Sequence, residues 1–306
     1  MANKKPYRIK TISEFHKFRG LPAPEHPLIS VIDYATIKHS DESNSMNWVL
    51  DFYAISLKKS SHTNFRYGYQ QCDFDEGSLF FMAPNQVFRV EVDKNHTPVN
   101  SGWILLIHPD FIWGTALAKT IKQYDFFDYA INEALFLSPK EKSIINGIIQ
   151  NIQQEYQANI DKFSKQIIST HIENLLSYSE RFYNRQFITR EKANHQILER
   201  LEKLLIDYFN SDDLVIKGLP SVQDVSEKLN VSQSYLGSLL RVLTGQNTQQ
   251  HIHEKLIEKA KEKLSTTNLT ISEIAYELGF EHSQSFSKLF KSKTQFSPLE
   301  FRQSFN

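Results

Sequence analysis

The strongest constraint in this chain of 306 residues is a repeat near its C-terminal end. The stretch SVQDVSEKLNVSQSYLGSLLRVLTG (221–245) can be laid over TISEIAYELGFEHSQSFSKLFKSKTQ (270–295). Val222, Val225, Leu229 and Val231 match Ile271, Ile274, Leu278 and Phe280 at an offset of 49. Leu236, Leu239, Leu240, Arg241 and Thr244 match Phe286, Leu289, Phe290, Lys291 and Thr294 at an offset of 50. The slip of one residue falls in the turn, where an insertion is best tolerated. Each copy reads as a short helix, a tight turn and a second amphipathic helix, so the spacing predicts helix-turn-helix units over 222–243 and 271–293. Everything after Ile197 has the same helical grammar.

Capping signals mark where these helices begin and end. Thr270-x-x-Glu273 and Ser297-Pro298-x-Glu300 have the form of capping boxes, and Ser221-x-x-Asp224 is a weaker relative. Gly279 stands where the first helix of the second copy must stop, which suits a left-handed backbone. Asn230 holds that place in the first copy and tolerates the same conformation.

The outer faces of the two second helices carry the chemistry. With Leu236, Leu239, Leu240 and Leu243 turned inward, the first presents Gln233, Ser234, Gly237, Ser238 and Arg241. With Phe286, Leu289 and Phe290 inward, the second presents Ser283, Gln284, Ser285, Ser287, Lys288 and Lys291. Such side chains suit a DNA major groove: Gln pairs bidentately with adenine, Lys or Arg reaches guanine or phosphate, and Ser adapts to either. For one helix alone, a solvated face would be the better reading. Two such faces, each in the second place of a repeated unit, speak against it. Between the copies, QQHIHEKLIEKAKEKL (249–264) reads as a long connecting helix that would set both second helices into successive grooves. Its His251 and His253, two apart, diverge on a helix and do not suit one metal ion.

The earlier half reads differently. Residues 1–28 are polar with prolines at their end and read as an N-terminal arm. Residues 29–138 carry strand-like runs, Ile29–Ile32, Trp48–Leu57, Phe65–Tyr69, Ser78–Met82 and Trp103–Ile107, separated by turn clusters, a pattern that suits a sandwich or small barrel. At Ser138-Pro139-Lys140-Glu141 the period changes to helical. The stripes Ile145, Ile148, Ile149, Ile152, Tyr156 and Ile168, Ile172, Leu175, Leu176, Phe182 then fit two helices over 139–185. These helices either fold back on the sheet or pair two copies in a homodimer. Residues 186–196 lack a sustained apolar face and read as a linker to a domain over 197–306.

Charge and cysteine use narrow the partners. Lys plus Arg and Asp plus Glu are 35 each, a formal net of zero, so the whole chain gives no sign of a polyanionic or membrane partner. From Gln196 to Asn306 there are 13 Lys and Arg against 14 Asp and Glu, a net of −1. Phosphate neutralisation dominates non-specific DNA affinity, so generic binding should be weak and two copies on paired half-sites would be needed. The single cysteine, Cys72, excludes an intrachain disulfide. With no apolar leader and no membrane-length apolar run, the expected location is the cytoplasm.

VSQSYLGSLLRVLTG, HIHEKLIEKAKEKL and above all ISEIAYELGFEHSQSFSKLFKSKTQFSPLEFR resemble the DNA-binding domain of the AraC/XylS family of bacterial transcription regulators. The resemblance implies seven helices bearing two helix-turn-helix units. By the family pattern Gln233, Ser234, Gly237, Ser238 and Arg241 lie on the first recognition helix, and Ser283, Gln284, Ser285, Ser287 and Lys288 on the second. The chain departs from the pattern at Ser238 and Val242-Leu243, often basic or polar in the family, and at Gln295, usually glycine. FDEGSLFFMAPNQVFRVE (74–91) resembles a phrase of the cupin-like sensor domain found in many such regulators. That domain either binds a small effector or mainly mediates dimerisation.

The fold class expected is therefore α+β and multidomain: an N-terminal cupin-like β-barrel followed by helices, then an all-α domain with two helix-turn-helix motifs. The partners expected are double-stranded DNA, a small-molecule effector, a second copy through 139–185 and, from the resemblance, RNA polymerase. Tyr53, Arg66, Tyr67, Tyr69, Phe88 and Trp103 could line an effector pocket, although each taken singly also suits plain core. Arg66 stands out, because a buried arginine wants an anionic partner. The alternatives are a constitutive DNA-binding regulator with a non-sensing β-domain, or a cupin-type metalloenzyme. His39, His62, His96 and His108 are scattered singly, and there is no nucleophile motif or phosphate-binding loop. No catalytic residue, metal site or cofactor is expected. The residues leave activation or repression open.

Overall fold

The computed structural model describes residues 6–37, 47–61, 65–67, 70–72, 77–89, 99–130, 133–158, 161–189, 191–211 and 213–304. These fall into two units, Met1–Gln186 and Phe187–Asn306.

The first unit opens with β1 (Tyr7–Ile9) and α1 (Ile12–Phe18), where a polar arm was expected. Ile9, Ile12 and Phe15 are buried, and β1 pairs in parallel with β3, so this segment is part of the core. Thr11 caps α1 by accepting from the Glu14 amide. The strands that follow are β2 (Ile29–Asp33), β3 (Asn47–Leu50), β4 (Tyr53–Ser61), β5 (Phe65–Tyr67), β6 (Gln70–Cys72), β7 (Ser78–Met82), β8 (Val87–Arg89) and β9 (Val99–Ile107). The run expected over Trp48–Leu57 is two strands, because the chain turns at Asp51-Phe52 and passes from one sheet to another. Asp51 holds that corner through its amide to the Ile9 carbonyl (3.1 Å) and its carboxylate to Arg8 (2.7 Å).

Short helices α2 (Pro109–Ile112) and α3 (Leu117–Thr120), then β10 (Leu135–Phe136), lead to α4 (Pro139–Gln157) and α5 (Ser164–Thr189). One sheet has the order β10-β7-β4-β9-β2, a second β1-β3-β8, and β5 pairs with β6. No hydrogen-bonded pair among the described residues joins the three, so the closed barrel expected here is replaced by open sheets. Ile32, Ile104 and Leu106 of the larger sheet pack with Trp48, Leu50, Phe15 and Tyr34 in one apolar cluster.

The stripes of α4 and α5 are buried inside this unit. The Tyr156 hydroxyl accepts from the Val31 amide (3.1 Å), and the Trp103 indole N–H donates to Asn146 (3.0 Å). At the end of α5, Gln186 bridges the Phe136 amide and the Ala134 carbonyl, while Arg185 pairs with Glu141 (2.7 Å). The residues that suggested a pairing surface are therefore buried within the unit and cover the sheet.

The second unit holds α6 (Glu191–Phe209), α7 (Asp213–Lys217), α8 (Val222–Leu229), α9 (Gln233–Thr244), α10 (Thr248–Thr266), α11 (Ile271–Glu277), α12 (Ser283–Thr294) and α13 (Pro298–Gln303). Residues 186–189 and 191–196, within the expected linker, are helical. Asn194 is buried and donates to the Phe187 carbonyl, and the Phe187 ring meets Tyr235 edge-on at 5.2 Å. One core runs through the unit, from Leu201 and Leu205 through Val225, Leu236, Leu240, Ile252 and Leu256 to Ile274, Leu278, Phe286 and Phe290. No helix among the described residues is long and apolar enough to cross a membrane.

Candidate nucleic-acid interface

The two copies of the repeat fold alike because the same local devices act in both. Ser221 and Thr270 each complete a capping box, with Asp224 and Glu273, and so does Ser297 with Glu300. The Ser221 relative is thus a full box. These hydrogen bonds hold the Asp224, Glu273 and Glu300 carboxyls below the usual carboxylate range. Asn247 and Gln250 add a further box at the start of α10. Thr244 and Thr294, paired in the repeat, do the same job. Each hydroxyl donates to the carbonyl four residues earlier, Leu240 or Phe290, at 2.8 Å.

The turns carry the backbone conformations their residues suggested. Asn230 (φ 57°) and Gly279 (φ 78°) are left-handed, and Gly245 (φ 75°) and Gln295 (φ 69°) match as the ends of α9 and α12. The slip in the repeat lies where expected, since Asn230–Ser232 separate α8 from α9 and Leu278–His282 separate α11 from α12.

The inner sides of α9 and α12 bury Leu236, Leu239, Leu240, Phe286 and Phe290. Leu243 and Leu289 are only half-buried. Tyr235, absent from the expected inner set, is buried as well. Its ring meets that of Phe187 edge-on. On the outer sides Gln233, Arg241, Gln284, Ser285, Lys288 and Lys291 are exposed, and Ser234, Gly237, Ser238, Ser283 and Ser287 are partly so. Each helix thus shows one polar surface. A Cβ on Gly237 would meet nothing within 4 Å. A glycine there costs helix stability relative to alanine but leaves the middle of the α9 surface low, so that another backbone can approach closely. Lys288 and Lys291 form no ion pair among the described residues.

Ser232 caps α9 by accepting from the Tyr235 amide, whereas His282 gives α12 no side-chain cap. On the connecting helix, His251 meets the Thr244 hydroxyl and His253 meets Gln249, each at 2.9 Å. Burial lowers the pKa of both, with Lys293 adding to the effect at His253. Their separate partners fit two solitary imidazoles rather than a metal pair.

Of the six residues nominated for an effector pocket, side chains are described for two. Tyr53 and Trp103 are buried on the larger sheet, Tyr53 against the Phe127 ring (5.2 Å) and Trp103 bound to Asn146. Burial pushes the Tyr53 phenol up. Arg66 and Tyr67 lie on β5 and Phe88 on β8, but their side chains fall outside what is described. Tyr69 lies outside the described residues, as do His39, His62 and His96. His108 caps α2 by accepting from the Asp110 amide.

Residues 225–304 match the family described as "Helix-turn-helix domain". Over 81 residues the chain is 36% identical to the Msm operon regulatory protein of Streptococcus mutans, taking in 26% of this chain and 29% of that one. Over 191 residues it is 23% identical to the HTH-type transcriptional activator RhaS of an Enterobacter species, 56% of this chain and 69% of that one. A solved transcriptional regulator from Chromobacterium violaceum, described as an AraC-type DNA-binding domain-containing protein, shares 20% identity. It covers 37% of this chain and 95% of that chain, with a TM-score of 0.32. The chain spans between 29% and 51% of the length of the first three curated relatives it matches. The C-terminal unit is a helix-turn-helix domain of the AraC/XylS type.

Proposed function

We propose that the chain is a sequence-specific DNA-binding transcription regulator of the AraC/XylS type. One observation carries this reading: α9 and α12, the second helices of two like-built units, each bury one side and offer glutamine, serine and a basic residue on the other. In this reading α12 reads bases through Gln284 and Lys288, and Ser283, Ser285, Ser287 and Lys291 serve its bases or flanking phosphates. On α9, Gln233, Ser234, Ser238 and Arg241 contact DNA around Gly237, which lets the helix sit close.

The near-zero charge of this unit limits phosphate-driven affinity. The protein therefore acts as two copies on paired half-sites, and the sheet-bearing unit supplies pairing and responds to a small molecule. RNA polymerase is the further partner that such a role requires, and no chemistry is catalysed.

The test is a selection of randomised duplex DNA with the full-length chain at fixed moderate salt. The expected outcome is an enriched motif with two boxes about 10 base pairs apart. No enrichment at any salt tested would overturn the reading. Lys288→Ala should cost about 1–3 kcal/mol on the selected site and relax one position of the motif. An equal loss on every sequence would place Lys288 on phosphate only.

A further inference from the structure

Beside its buried stripe, α4 carries a polar one. Lys142, Asn146, Gln150 and Gln153 recur at helical spacing and so share one side of the helix. Three contacts fix how α4 crosses the larger sheet. The Lys142 ammonium lies 3.7 Å from where a Cβ on Gly77 would stand, one residue before β7, and the Leu57 side chain of β4 lies 3.8 Å from the same point. Asn146 accepts from the Trp103 indole on β9 (3.0 Å), and Tyr156 accepts from the Val31 amide on β2 (3.1 Å). The strand order β7-β4-β9-β2 is thus the order met along α4. A cleft of about 450 Å³ lies between the polar stripe and the sheet, within the size range of small-molecule sites. Lys142 stands at one end of it, and Asp33, paired with Trp103 across β2 and β9, at the other. The polar groups there are largely uncommitted. The Lys142 ammonium and the Gln150 and Gln153 carboxamides make no hydrogen bond or ion pair among the described residues. Asp33 uses one carboxylate oxygen to accept from the Ala35 amide (2.9 Å) and keeps the other. Asn146, its oxygen engaged by Trp103, keeps its two N–H donors.

The charges of Lys142 and Asp33 cancel, so the cleft offers an ion of either sign no net attraction. It suits a ligand that is neutral overall, with an anionic end for Lys142 and a cationic end for Asp33. Between them the ligand needs groups that donate and groups that accept, because a carboxamide does both. Neighbouring strands lie about 4.8 Å apart, so the two or three spacings from β4 or β7 to β2 set the ends roughly 10–14 Å apart. A single amino acid is too short for that. An extended peptide of three or four residues reaches about 10–14 Å, carries N–H and C=O groups along its length and ends in the two charges required. We propose that this cleft between α4 and the larger sheet binds a short linear peptide with free termini. Lys142 holds the terminal carboxylate, Asp33 the terminal ammonium, and Asn146, Gln150 and Gln153 the peptide groups between. This deepens the small-molecule role assigned above to the sheet-bearing unit and rests on that reading for regulation, but the binding itself does not depend on DNA.

The experiment is isothermal titration of the full-length chain, without DNA, using trialanine and tetraalanine. At least one should bind saturably, and maltotriose, a chain of similar length without charged ends, should not. Amidating the C-terminus of the bound peptide should weaken it about tenfold, the size of one charge-assisted hydrogen bond. Lys142→Met should do the same, and the two changes together should cost no more than either alone, because they remove one contact. Acetylating the peptide's N-terminus and Asp33→Asn, which keeps an acceptor for the Ala35 amide, form the matching pair at the other end. No saturable binding of either peptide to the wild-type chain would overturn the proposal. So would losses that add when amidation is combined with Lys142→Met, or maltotriose binding as tightly as the peptides. Because these readouts contain no DNA, their failure leaves the DNA-reading assignment intact. A failed DNA selection likewise leaves them standing.

Discussion

Gly279 and Gly245 hold the same kind of backbone position in very different surroundings, so replacing each by alanine separates two costs. Both are left-handed, at φ 78° and 75°. An alanine at either should lose about 1 kcal/mol from that conformation. Around Gly245 nothing lies within 4 Å of the added Cβ. At Gly279 the Cβ would fall 2.7 Å from the Leu214 carbonyl oxygen and 2.9 Å from the Gly218 Cα. That neighbour is pinned: the Leu214 carbonyl accepts from the Gly218 amide (3.0 Å), and the Gly218 carbonyl accepts from the Tyr208 hydroxyl (2.9 Å). Relieving the overlap must strain those bonds or shift α11 off the core, an overpacking cost of about 1–3 kcal/mol. Gly245→Ala should therefore cost about 1 kcal/mol, and Gly279→Ala about 2–4 kcal/mol. Urea unfolding followed by far-ultraviolet circular dichroism gives the totals, and hydrogen exchange in α11 and α12 assigns the transition. Losses within about 0.5 kcal/mol of each other would refute the reasoning, because the 214–218 segment would then yield freely.

Two further substitutions test other features. Gln295 carries a side chain at a left-handed position, so Gln295→Gly should raise stability by about 0.5–1 kcal/mol in the same unfolding assay; no gain would mean that the side chain offsets its backbone cost. Burial, with Arg19 adding repulsion, pulls the Lys58 ammonium down to about 7 from 10.5. Between those values the unfolded chain binds more protons than the folded one, so wild-type stability from this group rises with pH over that window and is lowest below pH 7. Lys58→Met should therefore raise the thermal midpoint most near pH 6, by an amount worth up to a few kcal/mol, and least near pH 10. A gain that does not change with pH would remove burial of the charge as its cause.

The helix-turn-helix units were legible because their determinants are local. Apolar spacing, a cap and its partner three residues on, and a left-handed Asn or Gly at a helix end all act within a turn or two of chain. Thr270, Ser297, Asn230 and Gly279 could therefore be assigned from their neighbours in the sequence, as could the polar faces of α9 and α12. Tyr235 escaped that logic because it packs against residues far off in the chain, Phe187 among them, almost fifty residues away. The sheet-bearing unit was legible only as strand-like runs. That β1 lies beside β3, that a single apolar run bends at Asp51 into two sheets, and that β4 is flanked by β7 and β9 are choices among partners far apart in the chain, which strand propensity does not encode. The stripes of α4 and α5 announced helices with something to bury. Only tertiary packing decided that they cover the sheet, and only it brought Arg19 from the end of α1 beside Trp48 and within the field of Lys58. The sequence alone determined which helices could present polar faces; long-range pairing, for which no short stretch carries the information, decided where the chain gathers charge in its interior.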